Sequence, residues 1–357
     1  MSIKALLKQM LERNASDLFC RPEAPPHMRI EGEMIASGRT LLTVEDLNHM
    51  VDDLTTPKQR DDFKSNLDID FALYIEELTH RFRVSIFRQR NWPTIVIRNI
   101  RDSVSTFEEL NLPVEILKKL ALESHGLVLL TGSMGSGKST TIASMIEYIN
   151  ANSSKHILTI DEPIEFTFQD KKSYINQRDL GVDVLSYASA LRSLTLQSPD
   201  VISIANIRDY NTMAAAMTAA ETGVLVLGTL HTINASQSVQ RIMNFFPPHQ
   251  HNEVQLRLSY LLKGVISLRL VPLKDGSGRI PAYEVMLHTP TTSRLIRDGK
   301  ILEIPRYIEE GEIYGMQSFK QCLLRLIREG KITKEAALDF SDDRDEFSLA
   351  INGYHKG

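Results

Sequence analysis

The sequence predicts two domains, a small N-terminal α+β domain followed by a larger α/β domain. Its 357 residues are enough for about two hydrophobic cores. In the first hundred residues, stretches such as "RFRVSIFRQR" alternate polar and apolar side chains, which is typical of a sheet with one solvated face. Beyond residue 113, short and wholly apolar strands alternate with helices, which indicates a mostly parallel sheet covered on both faces.

Residues 1–100 are predicted to form the first domain. An amphipathic helix opens it, followed by a second helix in "LLTVEDLNHMVDDL". Strands are then expected at "DIDFALYIEE", "HRFRVSIFRQR" and "TIVIRNI". Residues 101–112 are predicted to be a linker, because Ser103 and Ser105 favour a loop and Pro113 is suited to the first turn of a helix.

The second domain is predicted to span residues 113–357. Strands and helices alternate from "GLVLLTG" through "HILTIDE" and "VISIANI" to "VLVLGTLH". From about residue 235 the chain becomes mainly helical, with a β-rich interruption at 264–287.

Composition limits the possible partners and locations. A net charge of −4 offers no basic stripe for nucleic acid, so no nucleic-acid partner is expected. Cys20 and Cys322 lie far apart in the sequence and do not have metal-ligand spacing, which indicates reduced thiols in a cytoplasmic protein. No apolar run reaches the roughly 18–20 residues of a membrane span, and the amphipathic N-terminus lacks the core of a signal peptide. A cytoplasmic protein without direct membrane insertion is expected.

The segment "TGSMGSGKST" at 131–140 has the G-x-x-x-x-G-K-[ST] spacing of a phosphate-binding loop. It follows a predicted strand and opens a predicted helix, whose N-terminus favours anions. Lys138 is expected to reach the outer phosphates and Ser139 to bind Mg²⁺. The sequence therefore predicts ATP and Mg²⁺ as cofactors, held by Gly132, Ser133, Gly135, Ser136, Gly137, Lys138, Ser139 and Thr140.

Further blocks follow this loop in a recognisable order: "HILTIDEPIEF", "INQRDLGVD", "PDVISIANIRD", "TAAETGVLVLGTLHT" and "RIMNFFP". Their order and spacing resemble those of the type IV pilus retraction (twitching motility) ATPases, the PilT/PilU branch of the secretion ATPases. The charged tail "DFSDDRDEFSLAI" is more similar to that of PilU. The resemblance implies an N-terminal PAS-like domain joined to a RecA-like P-loop ATPase domain. It also implies a homo-hexamer that acts on an inner-membrane pilus platform protein from the cytoplasmic face.

The resemblance also implies roles for individual residues. The segment around Asp161, Glu162 and Glu165 matches an acidic box that polarises water or holds magnesium; the alternative is that Glu162 and Glu165 are solvated loop charges. His231 matches a γ-phosphate sensor; its alternative is an ordinary polar residue at a strand end. Arg83 and Arg98 match arginines that close onto the triphosphate, with an outward-facing position on the sheet as the alternative.

One departure from the family concerns catalysis directly. Where the family has Gly-Glu after a core strand, this chain has Ala205 and Asn206. The family glutamate resembles a general base for the attacking water, whereas an amide can position water but offers no comparable basic lone pair. Loss of general-base assistance costs roughly 10²–10⁴ in rate.

Three further departures surround the same site. The acidic box is inverted at 161–162, Val224 replaces a histidine, and Leu196 and Ser198 replace an arginine and an acidic residue. Two hypotheses remain open. In one, the protein is an active retraction ATPase whose base comes from Asp161 or Glu162. In the other, it is a nucleotide-gated accessory ring that modulates a paralogous retraction ATPase. A DNA-translocating motor would share the core fold but need a basic stripe.

Overall fold

A computed structural model describes residues 2–30, 32–100, 103–192 and 197–351. The chain divides into two compact units. The first contains Met1–Ser103 with Pro163–Thr167, and the second contains Val104–Glu162 with Phe168–Gly357. Each unit has its own hydrophobic core, as the predicted α+β and α/β classes require.

The first unit is built on a six-stranded antiparallel sheet with the order β3-β2-β1-β6-β5-β4. Three α-helices accompany it among the described residues, and the first, as predicted, buries the apolar face formed by Ile3, Leu6, Leu7 and Met10. The elements are α1 Ile3–Glu12, β1 Asp17–Cys20, β2 His27–Ile30, β3 Glu33–Ala36, α2 Val44–Leu54, α3 Pro57–Asn66, β4 Asp68–Ile75, β5 His80–Gln89 and β6 Trp92–Asn99.

Strand β5 shows the predicted alternation. Phe82, Val84 and Ile86 are buried, whereas Arg81 and Arg83, which alternate with them, are half-buried. Side chains alternate between the two faces of a strand, so one face of β5 packs on the core and the other carries arginines. This alternation decides where Arg83 can act.

The second unit is built on a seven-stranded sheet with the order β13-β12-β7-β11-β10-β8-β9. All neighbouring strands are parallel except β12 and β13, which form an antiparallel pair. The strands are β7 Gly126–Thr131, β8 His156–Asp161, β9 Tyr174–Asp179, β10 Val201–Ile204, β11 Leu225–Leu230, β12 Leu262–Pro272 and β13 Arg279–Leu287. The carboxyl ends of parallel strands lie at one edge, where ligands bind in open α/β sheets.

Helices surround this second sheet. Those described are α4 Val114–Ala121, α5 Lys138–Asn152, α6 Tyr187–Arg192, α7 Tyr210–Glu221, α8 Ala235–Phe245, α9 His251–Leu261, α10 Pro290–Arg297, α11 Ile304–Glu310, α12 Phe319–Arg328, α13 Lys334–Asp339 and α14 Arg344–Ile351. Helix α6 ends directly before residues 193–196, which lie outside the described residues.

Two segments contribute more to the second unit than their sequence indicated. Phe107 and Leu112 of the predicted linker are buried in its core. The β-rich interruption at 264–287 extends the central sheet, because β12 pairs in parallel with β7. Residue 267 therefore lies opposite the last residue of the strand that precedes the phosphate-binding loop.

Over the described ranges, every helix is too short or too polar to cross a bilayer. Cys20 and Cys322 are both buried free thiols, and burial raises the pKa of the Cys20 thiol to about 12. Neither thiol is prepared for nucleophilic chemistry, because the reactive form is the thiolate.

Candidate functional site

The loop between β7 and α5 has the backbone geometry of a phosphate cradle. Gly132, Gly135 and Gly137 adopt φ angles of 142°, 74° and 100°, in the region that glycine enters readily. Gly137 also caps the first turn of α5. The loop therefore delivers backbone N–H groups and a helix N-terminus to one place, as anion binding requires.

Lys138 closes the loop on itself. Its Nζ donates hydrogen bonds to the carbonyl oxygens of Gly132 and Ser133, each at 2.8 Å. Ser136 is also buried, and its Oγ has no hydrogen-bond partner among the described residues. A buried hydroxyl without a partner beside a buried ammonium group fits a site for an anionic oxygen. Ser139 is exposed on the first turn of α5, where its hydroxyl is accessible to a metal ion.

The predicted acidic box lies at the carboxyl end of β8. Asp161 accepts a hydrogen bond from Thr159 Oγ1 at 2.5 Å. Glu162 forms an ion pair with Arg208, with 3.1 Å between Oε2 and Nη2. Tyr187 donates a longer hydrogen bond of 3.4 Å to the same carboxylate. Glu162 is therefore not an isolated loop charge, since a guanidinium group and a phenol both face it.

Tyr187 reports the electrostatics of this corner. Burial is the main reason that its pKa is raised, and the negative charges of Glu162 and Asp161 raise it further. The phenol stays protonated and acts as a donor. Glu162 is thus held by one cation and one neutral hydrogen-bond donor.

Asn206 and His231 meet at the ends of β10 and β11. Asn206 Nδ2 lies 3.2 Å from His231 Nε2. An amide nitrogen can only donate, so the imidazole nitrogen accepts and the ring is neutral. Partial burial first, then the positive charges of Lys138 and Arg208, lower the pKa of His231. The lowered pKa favours the neutral form of the His231 ring, which agrees with a ring nitrogen that accepts a hydrogen bond from the Asn206 amide.

The backbone holds residue 206 between two strands. Ala205 N donates to Ile160 O of β8, and Ile207 N donates to Thr229 O of β11, both at 3.0 Å. Asn206 is buried, and its Oδ1 has no hydrogen-bond partner within the described residues. The position therefore offers an immobilised amide oxygen at the carboxyl edge of the sheet, able to accept a hydrogen bond from water but not to remove a proton.

Asp209 is the acidic residue closest to Asn206 in sequence, and it already has a structural role. Its carboxylate caps α7 by accepting from Thr212 N at 2.9 Å and Thr212 Oγ1 at 3.2 Å. N-terminal caps of this kind are worth about 1 kcal/mol. Asp209 is therefore engaged in starting a helix, which does not favour it as a substitute for the missing glutamate.

Arg83 and Arg98 lie directly opposite each other on β5 and β6. The row continues to Asp17 on β1 and Arg29 on β2. Arg98 Nε is 2.9 Å from Asp17 Oδ1, and Arg29 Nε is 3.4 Å from Asp17 Oδ2. Opposed residues share a face of the sheet, so Arg83, Arg98, Asp17 and Arg29 form one row, in which two of the three guanidinium groups contact the buried carboxylate and the net charge is positive.

A family model described as "Type II/IV secretion system protein" matches residues 1–292. The type IV pilus ATPase PilU of Pseudomonas aeruginosa is 42% identical over 351 residues, covering 98% of this chain and 91% of that protein. This chain belongs to that secretion-system family. The resemblance to type IV pilus retraction ATPases is confirmed.

Two further comparisons with PilT support the same family. The type IV pilus retraction ATPase PilT of Pseudomonas aeruginosa is 39% identical, over 94% of this chain and 97% of that protein. A crystal structure of the pilus retraction motor PilT with bound ADP superimposes with a TM-score of 0.89 at 38% identity, covering 97% and 98% of the two chains. The predicted fold, an N-terminal domain followed by an ATPase domain, is confirmed.

The structure adds site residues that the sequence did not indicate. Arg208 pairs with Glu162, and Tyr187 faces the same carboxylate. Arg208 lies within the quoted "PDVISIANIRD" block, two residues after Asn206, so the sequence alone could have indicated that it lies near the site. Tyr187 gave no signal, because its approach depends on how α6 packs against the end of β8. Leu196, one of the departures from the family, lies outside the described residues.

Proposed function

We propose that this protein is an ATP-binding subunit of a type IV pilus retraction machinery, assembled as a homo-hexamer. It would lie in the cytoplasm at the inner face of the membrane and act on the pilus platform protein. The observation that carries the proposal is the phosphate cradle of Gly132–Lys138 at the carboxyl edge of a parallel sheet. The names of relatives that match most of the chain support the pilus context.

The loop residues 132–140 would hold the phosphates of ATP. Lys138 Nζ would exchange its two carbonyl partners for phosphate oxygens, and Ser136 Oγ would donate to a third oxygen. Ser139 would bind Mg²⁺, which neutralises charge on the outer phosphates. The described residues contain no ready cluster of three metal-binding side chains, which suits an ion that takes most of its ligands from phosphates and water.

The arginine row of the first unit would serve the same ligand. Arg83 and Arg98 lie side by side on a positive face, and a guanidinium fork matches phosphate geometry. Asp17 holds Arg98 in place through its 2.9 Å contact, so this side chain is ordered before any anion arrives. In this proposal the first domain ends at residue 100 and the second begins at residue 113, so the two arginines belong to the first domain and the phosphate-binding loop to the second.

A second function is favoured by Asn206. The protein would bind Mg-ATP as a conformational ligand, hydrolyse it slowly, and modulate a paralogous retraction ATPase. Support comes from the neutral Asn206–His231 pair, from the ion pair that ties Glu162 to Arg208, and from the capping role of Asp209. Under the first function, Asp161 or Glu162 supplies the base instead.

The test of nucleotide binding is a titration of the purified protein with Mg-ATP, wild type beside Lys138→Ala. Loss of a charge-assisted hydrogen bond costs about 1.5–3 kcal/mol, so the variant should bind about 10–100 times more weakly. Lys8→Ala, on an exposed helix of the other unit, is the matched control and should bind as wild type does. Equal affinities for Lys138→Ala and wild type would refute the proposed cradle.

The two functions are separated by measuring phosphate release with and without a paralogous retraction ATPase. A motor turns over alone. An accessory ring releases little phosphate alone but changes the partner's rate when it has ATP bound. Lys138→Ala should abolish the effect in either case, because both functions need the nucleotide.

Arg83→Gln and Arg98→Gln are each expected to weaken Mg-ATP binding about tenfold, as loss of one guanidinium–phosphate contact does. Arg88→Gln is the control, since it lies on the same strand and contacts the ring of Phe63 at 5.5 Å. Isothermal titration of the full-length protein provides the measurement. Unchanged affinity in both variants would leave the arginines as residues of a solvated sheet face.

A further inference from the structure

A buried polar row crosses three strands just below the phosphate-binding loop. Glu284 on β13 lies opposite Ser267 on β12, and Ser267 lies opposite Thr131 on β7. Thr131 Oγ1 donates to Ser267 Oγ at 2.9 Å, and Ser267 Oγ lies 3.4 Å from Glu284 Oε1. All three residues are buried, so the row is a continuous polar path inside an otherwise apolar sheet.

One end of this row adjoins the loop. Thr131 immediately precedes Gly132, and a Cβ placed on Gly132 would lie 2.5 Å from the carbonyl oxygen of Leu268. Leu268 follows Ser267 on the same strand. Strand β12 therefore packs closely against Gly132, the first residue of the loop, and a shift of Ser267 would displace that residue.

The other end of the row reaches the segment that carries His231. Glu284 Oε1 accepts a hydrogen bond of 2.7 Å from the backbone N–H of Ala235, the first residue of α8. His231 and Asn234 bound the short connection between β11 and α8, and Leu230 before it lies opposite Thr131. The residues that flank this connection on both sides therefore contact the buried row formed by Thr131, Ser267 and Glu284.

We propose that Glu284 is a positioning residue that couples the phosphate-binding loop to the His231 connection by fixing the start of α8 relative to the end of β7. The proposal rests on nucleotide binding at the loop. Glu284 would contact neither nucleotide nor metal. Its effect would be to set where the His231 ring stands when a triphosphate occupies the cradle.

The charge of Glu284 gives this coupling a pH dependence. Burial is the main cause that raises the pKa of the carboxyl to about 7, while the Ala235 N–H opposes this. Among charged neighbours, Asp342 raises the pKa and Arg269 lowers it. Arg325 of α12 bonds to Tyr283, whose side chain points to the other face of β13. Arg241 of α8 stacks on Phe245.

The sign of the effect follows from charge repulsion. A triphosphate in the cradle disfavours a carboxylate at the far end of the row, so nucleotide binding should favour the protonated form of Glu284. By linkage, protonation of Glu284 should favour nucleotide binding. The contribution of Glu284 is therefore present below pH 7 and is lost as the pH rises through the pKa of the folded protein.

The test is the affinity of the full-length protein for Mg-ATP between pH 6 and pH 8, wild type beside Glu284→Gln. The glutamine keeps an oxygen for Ala235 N–H but cannot ionise. We expect the ratio of the two dissociation constants to change about fivefold across this range. Titration of ATP itself is common to both proteins and cancels in the ratio. A ratio independent of pH would reduce Glu284 to an ordinary buried acceptor.

Asp342→Asn is the second variant, and it leaves the row intact. It removes a charge that raises the pKa of Glu284 and releases Arg269, with which Asp342 pairs. Both changes should lower the pH at which the affinity for Mg-ATP decreases. An unmoved profile would contradict the assignment. Absence of nucleotide binding by wild type at every pH would instead refute the proposed function, so the two failures are distinguishable.

Discussion

Asn206→Glu is expected to raise the rate of phosphate release by this protein about 10²–10⁴-fold, the usual contribution of a general base. The position is suited to the change. The residues on either side of it donate backbone hydrogen bonds to Ile160 O and Thr229 O, and its own side chain is buried. A glutamate there would point to the same edge of the sheet with a basic oxygen in place of an amide.

The neighbours of residue 206 would accept a carboxylate. Burial alone would raise the pKa of such a group, whereas the positive charges of Lys138 and Arg208, which already act on His231, would lower it. His231 would change its tautomer and donate from Nε2, because a carboxylate only accepts. The carboxylate should therefore be ionised near neutral pH, as a general base must be.

The measurement is steady-state phosphate release with Mg-ATP, after equal nucleotide binding has been confirmed. Asn206→Gln is the matched control: it lengthens the side chain as glutamate does but adds no base, and it should stay at the wild-type rate. Lys138→Ala in the Asn206→Glu background should remove the gain. If wild type already turns over as fast as Asn206→Glu, then Asp161 or Glu162 supplies the base, and the accessory-ring hypothesis is wrong.

The central sheet could be predicted from sequence because its strands are buried on both faces. Stretches such as "GLVLLTG" and "VLVLGTLH" are continuous apolar runs, and β7 and β11 are buried throughout. Strands β1, β2 and β3 were not assigned, since each has only four residues, too few to show a period. Strand β9 was also missed, because its half-buried sequence "YINQRD" has little apolar content.

The cradle was predictable because it is local in sequence, and the rest of the site was not. The spacing of Gly132, Gly137 and Lys138 carries its own geometry. The pairing of Glu162 with Arg208 spans 46 residues, and the contact of Ala235 with Glu284 spans 49. Both depend on strand order, which residue patterns alone leave open.

For some residues within the predicted strands, the sequence pattern indicated an unusual position, but only the structure identifies their contacts. Glu284 stands between apolar neighbours in "AYEVML", and a lone carboxyl in such a run is unusual. The alternation of β5 placed Arg83 on the solvated face, but its partner Arg98 and the carboxylate of Asp17 required the register of β6 and of the unassigned β1.

Gly132→Ala is expected to abolish measurable nucleotide binding, whereas Gly135→Ala should reduce it only modestly. Both glycines have positive φ angles, 142° and 74°, so alanine costs backbone strain of about 1–3 kcal/mol at either position. Only at Gly132 does the added Cβ collide with its surroundings, at 2.4 Å from Ser136 Oγ and 2.5 Å from Leu268 O. At Gly135 there is nothing within 4 Å.

The collision at Gly132 cannot be relieved cheaply, because Leu268 O belongs to the backbone of a buried strand. Overpacking of this kind adds about 1–3 kcal/mol, so the loop should move away from β12 and carry Lys138 with it. Isothermal titration with Mg-ATP, beside thermal unfolding of each variant, separates a displaced loop from a destabilised domain. Equal losses of affinity in the two variants would mean that backbone strain alone governs the cradle. A much larger loss in Gly132→Ala would show that the cradle depends on close contact between its first residue and β12, the strand through which Glu284 is proposed to act.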